Sequence, residues 1–403
     1  MKVLMSAYAC EPGKGSEPGA GWAWTRAAAL ENDVWVMTRE NNRDTIEEAL
    51  RLEPNLRLTP IYLDLPKWAR WWKRGGRGLR LYYVLWQGLA RRRAKELHAA
   101  IHFDVAHHIT LAIDSLPAGV IGIKGLPSVW GPVGGASPFP WRLRRHLGLL
   151  GFPEESARFV LSGVARRTFG RRTARAAHLV VVQNREVYNS FSQFDPIVEP
   201  NVALDQRDFA RSAGGEGVAA PVQGRVALFV GNLIPLKGLP LALEAIAKDS
   251  TGLWNLTVFG SGPDSKRAKS MVARLGIQQR VQFRGHRPRS EVLTALCQAD
   301  ALVFPSMHDS AAWTVGEAMM SGVFVVCLDL CGPAELVRRA GCGRAIKPTS
   351  LAPQLMIDTL NGVNVCRPDV SVLQQDRIPA LTTHWYSTAV ERGGRAPASP
   401  RSL

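Results

Sequence analysis

Residues 304–337 read FPSMHDSAAWTVGEAMMSGVFVVCLDLCGPAELV. An apolar run, Ala301–Phe304, ends at Pro305 and Ser306, and a polar loop holding His308 and Asp309 follows. From Thr314 to Ser321 apolar residues recur at helical spacing, with Glu317 in the first turn. Val323–Leu328 is again a short apolar run. Short unbroken apolar runs mark strands covered on both faces. The stretch therefore reads as strand, loop, helix, strand of a parallel α/β sheet.

The same alternation extends upstream. Val226–Val230, Asn255–Phe259 and Val281–Arg284 read as strands, separated by helical patterns at Leu239–Ala247 and Lys266–Leu275, with a third helix at Glu291–Ala299. It also opens the chain. Met1–Ala9 reads as a strand, Cys10–Gly21 as a loop rich in Gly, Glu and Pro, Trp22–Leu30 as a helix and Val34–Thr38 as a strand. Val105–Ile109, Ser128–Trp130 and His178–Gln183 read as further strands. Composition shifts at Asp195–Gly224, where 212–217 and 219–224 are small and turn-prone, as in a linker. The expectation is α/β: two Rossmann-like doubly wound domains in tandem, 1–200 and 201–370. A weakly patterned end, 371–403, contains a helix candidate at Gln374–Val390 with Trp385 as its anchor. A ligand cleft belongs at the carboxyl ends of such strands.

Composition limits the function. With 403 residues, 46% hydrophobic and 21% charged, the chain is not a disordered one. Lys and Arg number 50 against 34 Asp and Glu, giving +16, which predicts an anionic partner: nucleic acid, phosphate-bearing ligands or an acidic membrane surface. The six Cys form no C-x-x-C and no zinc-finger spacing with His, so neither a disulfide framework nor a structural zinc site is expected, and a reducing cytoplasm fits. The first residues hold too short an apolar run for a signal peptide. No run of about 18 apolar residues occurs, so membrane contact is expected to be peripheral.

Asp309 and Glu317 straddle a loop-to-helix junction with seven residues between them. A helix N-terminus offers unpaired N–H groups and a positive dipole end to an anionic ligand. A carboxylate beside it accepts hydrogen bonds from vicinal hydroxyls, as in a ribose or hexose. On spacing alone a plainer reading stands equally: Glu317 as a helix-start acid and Asp309 as a loop acid capping the helix.

The segment resembles the donor-site signature of family 4 retaining glycosyltransferases, which have the GT-B fold. That signature runs Pro-Ser, an acid, seven residues, Glu, Ala-x-x-x-Gly, a strand and Gly-Pro-x-Glu. Asp309 takes the place usually held by Glu. Leu228–Gly238, LFVGNLIPLKG, is similar to the family's glycine and Lys-Gly loop. Phe259–Pro263, FGSGP, resembles its Gly-x-Gly-Pro turn, and Val281–Gly285, VQFRG, the strand and turn beside the nucleobase. Pro200–Phe209, PNVALDQRDF, resembles its linker, while Trp130–Gly135, WGPVGG, and Gly15–Gly21, GSEPGAG, resemble acceptor-domain signatures. The likeness runs from the N-terminus to about residue 345.

The resemblance implies a GT-B enzyme of bacterial exopolysaccharide or envelope glycan type. The first domain would bind the acceptor, the second a nucleotide sugar, and the C-terminal helix would return toward the first domain. Glu317 would hold the ribose hydroxyls and Asp309 the donor sugar. Lys237 would neutralise the departing diphosphate, an electrostatic contribution that is commonly the largest in catalysis. The amides of Ser310, Ala311, Ala312 and Trp313 would lie near sugar and phosphates. Gly231, Asn232, Gly260 and Arg284 would line the donor pocket, and Gly15 and Gly19 would let backbone approach the diphosphate. No D-x-D occurs, so no obligatory metal or other cofactor is expected. Two departures stand out. The family usually has Arg where this chain has Asn232, and often a His where it has Trp130–Gly131. His107 and His108 are acceptor-site candidates beside a purely structural reading. An NAD site at the Gly-Ser-Gly-Pro turn is disfavoured: the third glycine is absent and no acid follows at the right distance.

Lys67–Lys95 carries ten Lys or Arg, no acid, and Trp68, Trp71, Trp72, Tyr82, Tyr83 and Trp86. Cationic heads on aromatic and apolar bodies suit a lipid headgroup zone, with Arg74 and the tryptophans as contacts. The alternatives are a solvated basic face whose aromatics pack inward, or nucleic-acid binding, which has no supporting signature. Arg142–Arg145 and Arg166–Arg175 add positive charge, expected in the first domain.

The reading that results is retaining transfer of a sugar from a nucleotide sugar to a saccharide or lipid-linked acceptor, at the cytoplasmic face of an anionic membrane. Two others are carried: a nucleotide-sugar epimerase of the same fold, which would leave the basic segment without purpose, and a catalytically weak sugar-nucleotide-binding assembly partner.

Overall fold

Val3, Leu4 and Met5 are fully buried in the first strand, flanked by a parallel neighbour on each side. The computed structural model describes residues 1–66, 68, 78–137, 141–212, 224–363 and 366–394. Its N-terminal sheet comprises β1 (Lys2–Ser6), β2 (Asp33–Arg39), β3 (Leu58–Leu63), β4 (Val105–His108), β5 (Ser128–Val133), β6 (Leu179–Val182) and β7 (Ile197–Val198). The strand order is β3-β2-β1-β4-β5-β6-β7, parallel throughout. A second parallel sheet comprises β8 (Arg225–Val230), β9 (Trp254–Phe259), β10 (Val281–Gly285), β11 (Ala301–Phe304), β12 (Phe324–Leu328) and β13 (Gly343–Ile346), in the order β10-β9-β8-β11-β12-β13. In both sheets the order reverses beside the first strand, the doubly wound arrangement that leaves a crevice at the strand carboxyl ends.

The chain divides into two units. One is Met1–Ala136, Ser162–Ala203 and Gln375–Leu403, and the other is Ser137–Leu161 and Leu204–Gln374. Residues 137–161, expected in the first domain, therefore group with the second, and Arg142–Arg145 go with them. The cause is apolar: Leu143 and Leu147 are buried in the core formed by Phe229, Leu256 and Val326, and Phe152 packs against it. Burying a side chain of this size is worth about 1.5–3 kcal/mol, more than sequence order decides.

The C-terminal helix spans Ile378–Gly394. Trp385 is buried and stacks on Trp24 at 5.3 Å between ring centroids, within the first unit. Part of the expected linker is a helix, Gln206–Ser212, and residues 213–223 lie outside the described residues. The helix expected from Trp22 begins at Ser16. Glu17 and Pro18 suit a first turn, where an acid meets the positive dipole end and Pro lacks an N–H that would be unpaired anyway. Among the described residues Cys342 is joined to Cys366, and the other four cysteines are unbridged thiols.

Candidate active site

The donor-site candidates of the second unit gather where its strands end. After β8 the chain turns through Gly231, Asn232 and Pro235 to Lys237. Gly238 then caps the helix Leu239–Ala247 with φ 73°. Only glycine fits there, because a Cβ would lie 2.1 Å from the carbonyl oxygen of Pro305. The Lys-Gly turn is thus pressed onto the loop after β11, and Met307 N–H donates to the Leu236 carbonyl at 2.7 Å. Lys237 Nζ forms an ion pair with Asp309 and lies 5.5 Å from the Phe304 ring centroid. Asp309 also accepts from the Ala312 N–H at 3.2 Å, at the start of the helix Trp313–Met320. It therefore braces the loop that enters this helix and partners the expected catalytic lysine as well. Ala312 stands at φ 48°, a left-handed conformation that sets the entry to this helix.

The ends of β8, β9 and β10 are laced together by backbone. Gly231 N–H donates to Phe259 O at 3.0 Å, Leu233 N–H to Ser261 O at 2.9 Å and Gly260 N–H to Gly285 O at 2.8 Å. At Gly260 a Cβ would collide with Gly231 O at 1.9 Å, so the Gly-Ser-Gly-Pro turn serves this close approach. Asn232 is exposed here. Arg284 Nε is buried with no hydrogen-bond partner among the described residues.

Glu317 is 6% exposed and faces a cation that sequence reading missed. Arg289 donates through Nε to Glu317 at 2.7 Å and through Nη1 to Asp208 at 2.8 Å. Burial pushes the Glu317 carboxyl above its ordinary range, and Arg289 pulls in the opposite direction. Arg289 opens the helix Arg289–Cys297, where the helix dipole disfavours a cation. A cation at such a position needs carboxylate partners, and that was the available signal. His308 is pushed down to about 4 by burial, then by Arg158, with Asp309 opposing. Arg158 Nη1 lies 3.3 Å from its Nε2.

The remaining candidates belong to the first unit. Gly15 caps the helix Ser16–Ala28 and Gly19 is buried inside it, so the expected glycine loop is a helix entry instead. The acid between them is the notable residue: half-buried Glu17 accepts from the Leu111 N–H, fixing the loop after β4. His107 and His108 are both fully buried on β4. His107 Nδ1 meets Tyr386 Oη at 3.0 Å and Nε2 meets Gly131 O at 2.7 Å, and burial pushes it down to about 4. His108 Nε2 meets Tyr83 Oη at 3.1 Å, and burial pushes it down to about 3. These contacts make both histidines part of the core, in keeping with the structural reading and against their candidacy for the acceptor site.

In the basic segment, Tyr82, Tyr83 and Trp86 also pack inward from the helix Leu79–Ile101, with Trp86 Nε1 donating to Leu63 O at 2.9 Å. The inward-packing reading holds for these three. Trp68 is 78% exposed, and Leu79, Leu81, Val84 and Leu85 are exposed too. Trp71, Trp72 and Arg74 lie outside the described residues. Among the described residues no helix is long and apolar enough to cross a membrane, and no group of three or more His, Cys, Asp or Glu is placed to hold a metal ion.

Residues 216–361 match the family model for glycosyl transferases group 1. The 2-deoxystreptamine glucosyltransferase of Streptomyces kanamyceticus is 30% identical over 116 residues, 28% of this chain and 30% of that protein. The lipopolysaccharide glucosyltransferase WaaG of Escherichia coli (strain K12) is 29% identical over 126 residues, 31% of this chain and 33% of that protein. The chain thus spans about a third of these relatives' own length. Along the whole fold it is similar to the crystal structure of Anabaena Alr3699/HepE in complex with UDP and glucose. There the TM-score is 0.54 at 18% identity, over 97% of this chain and 98% of that one. The likeness gives the fold: two parallel-sheet α/β domains of the GT-B type.

Proposed function

We propose that this chain is a retaining glycosyltransferase of cell-envelope polysaccharide synthesis. It would take a nucleotide sugar as donor and a saccharide or lipid-linked molecule as acceptor. One observation carries the reading: Lys237 and Asp309 meet at the carboxyl ends of adjacent strands β8 and β11, inside the segment that matches the glycosyl transferases group 1 model. The UDP and glucose named with the Anabaena structure, and the lipopolysaccharide named with the E. coli relative, support the donor class and the envelope setting.

In this reading the bond between the anomeric carbon and the diphosphate breaks as a bond to the acceptor oxygen forms on the same face of the sugar, and the acceptor's hydroxyl proton passes to the departing diphosphate oxygen. Lys237 neutralises the charge gathering on the diphosphate, and fixed cations at a developing charge are worth most in a dry site. Asp309 exchanges its lysine contact for sugar hydroxyls. Glu317 accepts from the ribose hydroxyls, held in place by Arg289. Lys237 and the helix N-terminus at Trp313 do this without an obligatory metal. The enzyme works at the cytoplasmic face of an anionic membrane.

The test is a thermal-shift panel of nucleotides and nucleotide sugars, with and without EDTA, on the wild type and Glu317→Ala. Ligand at about 100 times its dissociation constant adds about 2.7 kcal/mol of stability. A shift by one nucleotide sugar, insensitive to EDTA and lost in the variant, is expected. No shift with any nucleotide overturns the reading.

A further inference from the structure

We propose that the carboxyl edge of the N-terminal sheet binds an oxyanion, a phosphate or carboxylate group, through Arg39 and Tyr8. The inference rests on the glycosyltransferase reading above and gives the acceptor a negative charge.

In a doubly wound sheet ligands bind beyond the carboxyl ends of the strands, where the strand order reverses. Here the order reverses at β1, which lies between β2 and β4. Ala7 N–H donates to Met37 O at 2.9 Å, so pairing with β2 continues past β1, and Tyr8 follows at the edge. Arg39 ends β2, opposite Leu63 of β3. Its guanidinium lies over the Tyr8 ring, 4.5 Å from the centroid, and its Nε donates to Tyr8 O at 3.3 Å. Tyr83 and Trp86 in turn hold the Tyr8 ring edge-on, each at 5.2 Å between centroids. The cation is thus in place before any ligand arrives, which lowers the ordering cost of binding.

The acids around this edge have other partners. Glu40 pairs with Arg43 at 2.7 Å, and Glu47 accepts from Tyr62 Oη at 3.0 Å. Asp64 accepts from Tyr82 Oη, and Glu17 from the Leu111 N–H. Among the described residues half-buried Arg39 forms no ion pair, and neither of its Nη groups donates to a carbonyl or carboxylate. The Tyr8 hydroxyl is a second, independent pointer. Tyr8 is 2% exposed, and its Oη is buried with no hydrogen-bond partner among the described residues. The charges that act on it are those of Arg39 and Asp64. A buried hydroxyl without a partner, beside a guanidinium without a counter-charge, calls for an oxygen that accepts from both. A neutral sugar hydroxyl would satisfy Tyr8 and leave Arg39 uncompensated. An oxyanion satisfies the two together, meeting Arg39 end-on through its Nη groups.

The experiment is calorimetry with inorganic phosphate, glucose 6-phosphate, glucuronate, farnesyl phosphate and neutral glucose, on wild type, Arg39→Gln, Tyr8→Phe and Lys237→Ala. The four anions separate a bare phosphate, a sugar phosphate, a sugar carboxylate and a lipid phosphate as the source of the charge. At least one is expected to bind wild type about tenfold or more tighter than glucose, the worth of charge-assisted hydrogen bonds. Arg39→Gln is expected to remove that preference and Lys237→Ala to leave it intact. Tyr8→Phe breaks no hydrogen bond within the described residues, so it should leave the melting temperature unchanged and weaken the anion several-fold. It carries the test if Arg39→Gln does not fold. Wild type that binds no anion better than glucose overturns the proposal. So does a preference that survives Arg39→Gln, or one that Lys237→Ala weakens as much. The nucleotide-sugar shift proposed above is read on the same proteins. Its presence without an anion preference removes this site alone, and its absence in wild type removes the donor reading while the anion result stands as measured.

Discussion

Arg289 holds the Glu317 carboxylate at 2.7 Å, and its other arm reaches Asp208 at 2.8 Å on the helix Gln206–Ser212. The carboxylate expected to receive ribose hydroxyls is therefore the buried end of an ionic triad whose other two members, Arg289 and Asp208, are partly exposed. Removing one partner of such a group leaves a charge in a poor solvent, which costs far more than the intact pair contributes. Arg289→Ala should destabilise the protein by about 3 kcal/mol in urea unfolding. Arg289→Ala/Glu317→Gln should recover part of that loss, because the stranded charge is gone. A double variant as unstable as the single one would show that the loss comes from packing rather than charge.

Five strands of the second sheet were legible because they are short apolar runs, while β13, GRAI, has no such run and escaped. What escaped reading has identifiable causes. β3 is LTPIYL, and Pro60 within it argues against a strand, yet β3 is an edge strand, where a missing N–H is tolerated. β7 has two residues, too few for any pattern. Cys10–Gly21 looked like a loop because its Gly and Pro are loop formers, although Pro18 falls in a first turn. Lys237, Asp309 and Glu317 were found through a family resemblance. Arg289 and Arg158 were not, since arginines that meet a carboxylate or a loop only through tertiary packing look like any solvated arginine in the chain. His107 and His108 looked like site residues because they end a strand. Only the surrounding Tyr386 and Tyr83 reveal them as core.

Lys237 should separate catalysis from folding. Its side chain is about one-fifth exposed and pairs with Asp309. Lys237→Ala removes a charge at the site of the developing anion, so glycosyl transfer should fall by 10²–10³-fold, the order seen when a transition-state donor is lost. The melting temperature should change little, because a partly exposed pair contributes under about 1 kcal/mol. A large drop in melting temperature with equal loss of activity would place Lys237 among the structural residues instead.

The buried His107 predicts a limit to acid stability. Its folded value of about 4 lies below the roughly 6.5 of an exposed histidine. Between those values the unfolded chain takes up a proton that the folded chain refuses. Stability is thus full above about pH 6.5 and falls as the pH drops toward 4, by roughly 3 kcal/mol for this one group. His107→Gln, which keeps polar atoms for Tyr386 and Gly131, should cost stability at pH 7 yet show a shallower decline over that window. Parallel curves of unfolding free energy against pH for the two proteins would refute the assignment.

The membrane prediction rests on one face of the helix Leu79–Ile101. Tyr82, Tyr83, Trp86 and Ala90 are buried, so the opposite side carries Leu81, Val84 and Leu85, followed by exposed Arg92 and Lys95. Apolar residues at one end and cations at the other, at three- and four-residue spacing, match a helix lying in an anionic headgroup layer. Each basic residue near such a surface contributes about 1 kcal/mol, and each leucine inserted about 2 kcal/mol. Wild-type protein should float with vesicles containing anionic lipid and less so as salt rises. Leu81→Glu/Leu85→Glu should abolish flotation at unchanged melting temperature, since both side chains already face solvent. Protein that stays at the bottom of the gradient with anionic vesicles would remove the membrane from the proposed function. Equal flotation of the variant would move the contact to another part of the surface.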